Sequence, residues 1–188
     1  LCRNYLQRAA QHLEHCAEPA AYLRFQRLLG SLQINRGQYA VAVRTHAECA
    51  QLADQLGDDY AALTAQNVQI GMHFTWAEYV RAEELLVTLL TAAEQKGAVR
   101  FVRAAWLMQA ALWLRRGQPD SAQRTLDSVG ALDKADVLLL LQKSALLAQL
   151  HLLGGRPEAA YQTVADAWKS HSTPQMGSAV LLESTYAL

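Results

Sequence analysis

"RGQYAVA", residues 36–42, places a ring two residues after a glycine and an alanine three residues after the ring. The phrase returns as "RGQPDSA" at 116–122 and as "GGRPEAA" at 154–160, so that Gly37 aligns with Gly117 and Gly155, Tyr39 with Pro119 and Pro157, and Ala42 with Ala122 and Ala160. A fourth copy, "AEYVRA" at 77–82, has Ala77 where the others have glycine, with Tyr79 and Ala82 completing it. The copies lie 40, 40 and 38 residues apart. A period of that size marks arrays of stacked helix pairs.

The phrase has a physical meaning. Glycine accepts the left-handed backbone that commonly ends a helix, and proline is pre-set for the first turn of the next one, where its missing N–H leaves nothing unpaired. Asp120 and Glu158 follow the two prolines, so negative charge falls where the helix dipole favours it. The phrase therefore predicts a tight turn between two antiparallel helices, with the alanine letting them approach. A second series of stops closes the second helix of each pair: "LGDD" at 56–59, "KGA" at 96–98, "VGALDKAD" at 129–136 and "STPQMG" at 172–177. Between the stops, apolar residues recur with helical spacing, as in Leu85, Leu86, Leu89 and Leu90. Helices are predicted near 1–17, 20–35, 39–56, 59–74, 78–96, 99–116, 119–129, 135–153, 157–171 and 178–188.

Composition narrows the function classes. Of 188 residues 52% are hydrophobic, ample for a packed core. Seventeen basic residues balance seventeen acidic ones, which leaves no broad positive field for nucleic acid. Cys2, Cys16 and Cys49 are too few for a disulfide framework and fit reduced thiols in the cytoplasm. The apolar run 137–155 is interrupted by Gln142, Lys143, Gln149 and His151, which predicts a buried helix rather than a membrane span. The chain opens at Leu1 with no signal-peptide pattern, and is expected to be a fragment of a longer protein.

Leu29, Gly30, Gly37, Tyr39 and Ala42 in the first full unit, with Trp106, Ala110, Trp113, Gly117 and Ala122 in the third, resemble the tetratricopeptide family. The period of about 40 exceeds the family's roughly 34 and implies longer helices. Within the long-repeat variants, "AECAQLADQLGDDYAALTAQ" at 47–66 looks like the helical-repeat regions of bacterial regulators of the MalT and AfsR type. The resemblance implies an all-α solenoid of antiparallel helix pairs in a right-handed superhelix. It also implies one domain over 1–188, with about four full pairs and partial units at both ends.

In this family the first helix of each pair lines the concave face. By register that places Arg24, Arg27, Ser31 and Asn35 on the groove, with Thr64 and Asn67 from the second pair. The later pairs contribute Leu107, Leu114 and Leu152, together with Gln142 and Gln149. Such a groove suits an anionic or C-terminal group on an apolar body. The lysine–asparagine clamp of chaperone-binding members is not matched. His12, His15 and Cys16 share a helical face but lack a second cluster to complete a metal shell. His46, His73, His151 and His171 are isolated in sequence, Asp58 and Asp59 fit helix capping, and Trp76, Trp106, Trp113 and Trp168 fit packing. No acid, base or nucleophile constellation assembles, so neither enzymatic activity nor a cofactor or metal is expected. The expected function is a module binding a protein, a peptide or a small effector within a bacterial transcriptional or signalling regulator, with a structural scaffold as the alternative. Both termini read as uncapped half-pairs, so self-association through them is expected.

Overall fold

The computed structural model describes residues 18–133 and 136–171. The chain is all-α, and the described residues form eight helices: α1 (Pro19–Asn35), α2 (Tyr39–Leu56), α3 (Asp59–Thr75), α4 (Tyr79–Gln95), α5 (Val99–Arg115), α6 (Pro119–Val129), α7 (Val137–Leu153) and α8 (Pro157–His171). Each begins and ends within two residues of the span expected from the repeat. The helices expected over 1–17 and 178–188 lie outside the described residues, as do His12, His15 and Cys16.

The turns explain this legibility. In all four copies of the phrase the amide after the glycine position donates to the carbonyl five residues back: Gln38 to Gln33 at 2.8 Å, Glu78 to His73 at 2.9 Å, Gln118 to Trp113 at 2.9 Å and Arg156 to His151 at 2.8 Å. This is the Schellman closure, which requires a left-handed residue at its centre. Gly37, Gly117 and Gly155 supply it at φ of 71°, 69° and 67°, and Ala77 is forced into the same region at φ 60°. The second series closes alike at Gly57 and Gly97, where Asp58 donates to Ala53 and Ala98 to Ala93. Asp58 also caps α3, its Oδ1 accepting from the Ala61 amide at 2.9 Å.

The tyrosine or proline after each of the four turns is the first residue of its helix. The alanine three residues later is buried in every copy: Ala42, Ala82 and Ala122 have no exposure and Ala160 has 4%. A larger side chain there would hold the paired helices apart.

The chain divides into two compact units, Leu1–Met72 and His73–Leu188. In the first, α1 packs against α2, and Leu23, Cys49, Ala50, Ala53, Ala61, Ala62 and Ala65 form one buried cluster that includes the start of α3. In the second, α4 packs on α5, α5 on α6 and α7 on α8, with α7 also against α5 and α6. Leu86, Leu89, Leu107, Leu112, Leu126 and Val129 are buried in it. Two polar ties hold the joint before α7: Arg100 Nε donates to Asp136 Oδ1 at 2.9 Å, and Lys143 Nζ donates to the Gly130 carbonyl at 2.7 Å. Among the described residues no helix is long and apolar enough to cross a membrane.

The turn geometry makes a paired prediction. No atom lies within 4 Å of a Cβ built at Gly37, so Gly37→Val meets only backbone strain, costing about 1–2 kcal/mol. Ala77→Gly relieves the same strain and is expected to stabilise by roughly 0.5–1 kcal/mol after the extra entropy of an unfolded glycine is counted. Denaturant unfolding of the two variants should move the midpoint in opposite directions.

Candidate functional site

Arg24, Arg27, Ser31 and Asn35 lie on successive turns of α1, but they do not form one equivalent set. Arg24 is well exposed, its side chain 71% accessible; its Nε donates to the Ala20 carbonyl at 3.3 Å, and its guanidinium lies 3.6 Å from Glu18. So exposed and loose a pair leaves its charge open to a partner. Ser31 Oγ donates to the Arg27 carbonyl at 3.1 Å, and Asn35 is exposed at the end of the helix. Arg27 is half-buried, and its charge reaches His46 and Cys49 of α2. It belongs in part to the α1–α2 interface.

On α3, Asn67 and Thr64 are half-buried, and the Thr64 hydroxyl donates to the Tyr60 carbonyl at 2.7 Å. Gln142 and Gln149 sit two turns apart on α7, both half-buried. They belong to the second unit, whereas Arg24, Arg27, Asn35 and Asn67 belong to the first. Leu107 is not a groove wall: at 2% exposure it is part of the core. Leu152, at 58%, is open. Trp168 is not a packing residue either, being 62% exposed on α8.

The α1–α2 interface holds a feature that isolated histidines in a sequence do not announce. His46 is 3% exposed, and neither ring nitrogen has a hydrogen-bond partner. Burial, helped by the charge of Arg27, lowers its pKa to about 4, so the ring is neutral at pH 7. The register shows why it is there: His46 occupies the position held by Leu86, Leu126 and Val164 in the other pairs. One turn on, Cys49 is buried, and its thiol is pushed up to about 11, chiefly by that burial. It is an inert packing residue.

In the second unit a narrow groove follows the seam of α4 and α5, lined by Leu86, Leu90, Ala105, Gln109, Leu112 and Trp113 among others. It holds about 50 Å³, against the roughly 300–1,000 Å³ of small-molecule sites, so it is a packing seam rather than an effector pocket. Its polar end is closed by a bidentate pair, Arg116 donating to Glu83 at 3.0 and 2.6 Å. Those bonds hold the Glu83 carboxyl below its usual range and raise Arg116. The Arg116 guanidinium also lies 5.6 Å from the Trp113 ring centre. The pair escaped the sequence reading because its members stand 33 residues apart. Among the described residues no group of three or more His, Cys, Asp or Glu could hold a metal ion.

No protein-family model matches the chain, and a search of curated proteins finds no significant match. Among solved structures it is similar to BtubC (BKLC) from P. vanneervenii, with a TM-score of 0.61 and 18% sequence identity, covering 92% of this chain and 74% of that one. At that identity the likeness is one of fold.

Proposed function

We propose that this chain is a non-catalytic, tetratricopeptide-like repeat module that binds a protein or peptide through the first-helix faces of its pairs. The observation that carries the reading is Arg24: a cation on the first helix, largely exposed, with a loose ion pair to Glu18 and one bond to the Ala20 carbonyl of its own helix. Beside it, Ser31 and Asn35 are exposed polar groups on the same helix. That combination suits a carboxylate, and a guanidinium can take one with two parallel hydrogen bonds. The narrow volume of the α4–α5 seam favours a peptide over a small effector. On this reading it is the interaction region of a bacterial transcriptional or signalling regulator, which the resemblance of 47–66 to such regulators supports, and it works in the cytoplasm, which the sparse cysteines support.

A test uses two fluorescent pools of short apolar peptides, one with free C-terminal carboxylates and one amidated. The free pool is expected to bind several-fold more tightly, and Arg24→Ala to erase the difference, a change of about 1–2 kcal/mol for a charge-assisted contact. Raised salt should narrow the gap as well. Equal binding of the two pools, or the same preference in the variant, would overturn the assignment of Arg24. A scaffold reading is favoured by the open apolar residues of α8, Tyr161, Val164 and Trp168.

A further inference from the structure

Tyr161, Val164 and Trp168 are 76%, 47% and 62% exposed, and their spacing of three and four residues puts them on one face of α8. Single exposed apolar residues mean little, but a ring, a branched aliphatic and an indole in one row form a patch. The repeat says what such a row is for. Shifted by the 78 residues between Ala77 and Gly155, it falls on Glu83, Leu86 and Leu90 of α4. Those three line the seam against α5, and Leu86 is only 3% exposed there. The same position in α6 is Leu126, which has no exposure. One register position is thus closed in α4 and α6 and open in α8.

We infer that the Tyr161–Val164–Trp168 face is where two copies of this chain meet, α8 against α8 about a twofold axis. A twofold contact puts the same residues on both sides, so the face must complement itself. With exposed Pro157 the row keeps the four-three-four spacing of a two-helix seam. When two such helices run antiparallel about a centre between Val164 and Ala165, each Tyr161 meets the Trp168 of the second copy, and the smaller Val164 and Ala165 fill the middle. The charges complement as well. Glu158 and Lys169 are exposed, and neither has an ion pair among the described residues. They stand eleven residues apart, three turns of helix, and so lie on one flank of the row. The antiparallel arrangement brings each Glu158 to within about 3 Å, along the helix axis, of the Lys169 of the other copy, and makes two opposite-charge pairs. A parallel arrangement would set like against like. Asp166 lies on the opposite side of the helix, where its Oδ1 accepts from Gln162 at 2.7 Å, and the other flank is closed at Ala160, 4% exposed. Two aromatic rings and a valine offer on the order of 400 Å² per copy and about 800 Å² in the pair, below the roughly 1,200 Å² of stable complexes, so the dimer is weak. The contact is independent of the peptide reading, whose Arg24 stands on α1.

Sedimentation equilibrium of the full chain, without peptide, tests it. A monomer–dimer equilibrium with a dissociation constant on the order of 10–1,000 μM is expected. Trp168→Asp should weaken it at least about tenfold, because an aromatic anchor is replaced by a charge. Charge reversal reads the antiparallel geometry itself. Glu158→Lys should weaken the dimer about threefold or more by making both pairs repulsive, and adding Lys169→Glu should bring it back to within about twofold of the wild type. Circular dichroism melts establish that each variant is folded, and if Trp168→Asp is not, the charge pair carries the test. A chain that stays monomeric throughout that range would overturn the inference, since the row would then be covered by something other than a second copy. A dimer unmoved by folded Trp168→Asp, or one that the second charge reversal fails to restore, would overturn it too.

Discussion

Acidification from pH 6.5 to pH 4 is expected to cost the fold roughly 2–4 kcal/mol through His46 alone, since each unit of pKa difference between states is worth about 1.4 kcal/mol. The folded ring has its pKa lowered from 6.5 to about 4 by burial and by Arg27. In the unfolded chain it takes a proton once the pH falls below about 6.5, whereas in the native state it resists until about pH 4. The unfolded state therefore binds more protons across that window, and stability falls with falling pH. Below about pH 4 both states are protonated and this contribution levels off. Carboxylates titrate in the same range, so the diagnostic quantity is the difference from His46→Leu. Leucine is what the second and third pairs carry at this register, in Leu86 and Leu126, both buried. The variant should be at least as stable at pH 7, because two unpartnered buried nitrogens have been removed. It should also lose much less stability by pH 4. Parallel slopes in urea unfolding at pH 7, 5.5 and 4 would show that the ring is solvated in the folded state.

The repeat made the fold legible because its signals are backbone signals. A left-handed residue followed by a helix-starting ring recurs four times, and each copy sets a Schellman turn whatever the surrounding side chains are. Even the imperfect copy was readable: Ala77 stands where glycine is wanted and takes the left-handed conformation all the same. The surface was less legible, for reasons visible in single residues. Counting turns put Leu107 on the groove, but α5 is packed by α4, α6 and α7, and a helix with neighbours on three sides has little open face. Register assigned Arg24 and Arg27 to one surface, although a shift of three residues rotates a side chain by about 60° around the helix axis. That rotation separates an open guanidinium from one lying near His46. Trp168 read as a packing residue because a large apolar ring usually packs, yet it stands 62% exposed on α8.

Gly30→Val is expected to destabilise the first unit by about 3 kcal/mol, at the upper end of overpacking costs. A Cβ at Gly30 would stand 2.6 Å from His46 Nε2 and 2.9 Å from its Cδ2. Valine adds two methyl groups beyond that Cβ, and the ring, at 3% exposure, has no open space to retreat into. Backbone strain is not the cause, since Gly30 lies within α1 and valine is marginally the better helix former. Nor is it a demand of the repeat. The same register position holds Ile70, Ala110 and Ala148 in the later pairs, so a side chain is tolerated wherever the facing second helix carries no imidazole. The exclusion is specific to His46, and a double-mutant cycle isolates it. His46→Ala alone should also destabilise by leaving a cavity, but Gly30→Val placed upon it fills that cavity, so the pair should be more stable than the sum of the single changes by about 2 kcal/mol or more. Strictly additive effects would mean that the valine is resisted by the backbone of α2, whatever side chain stands at 46.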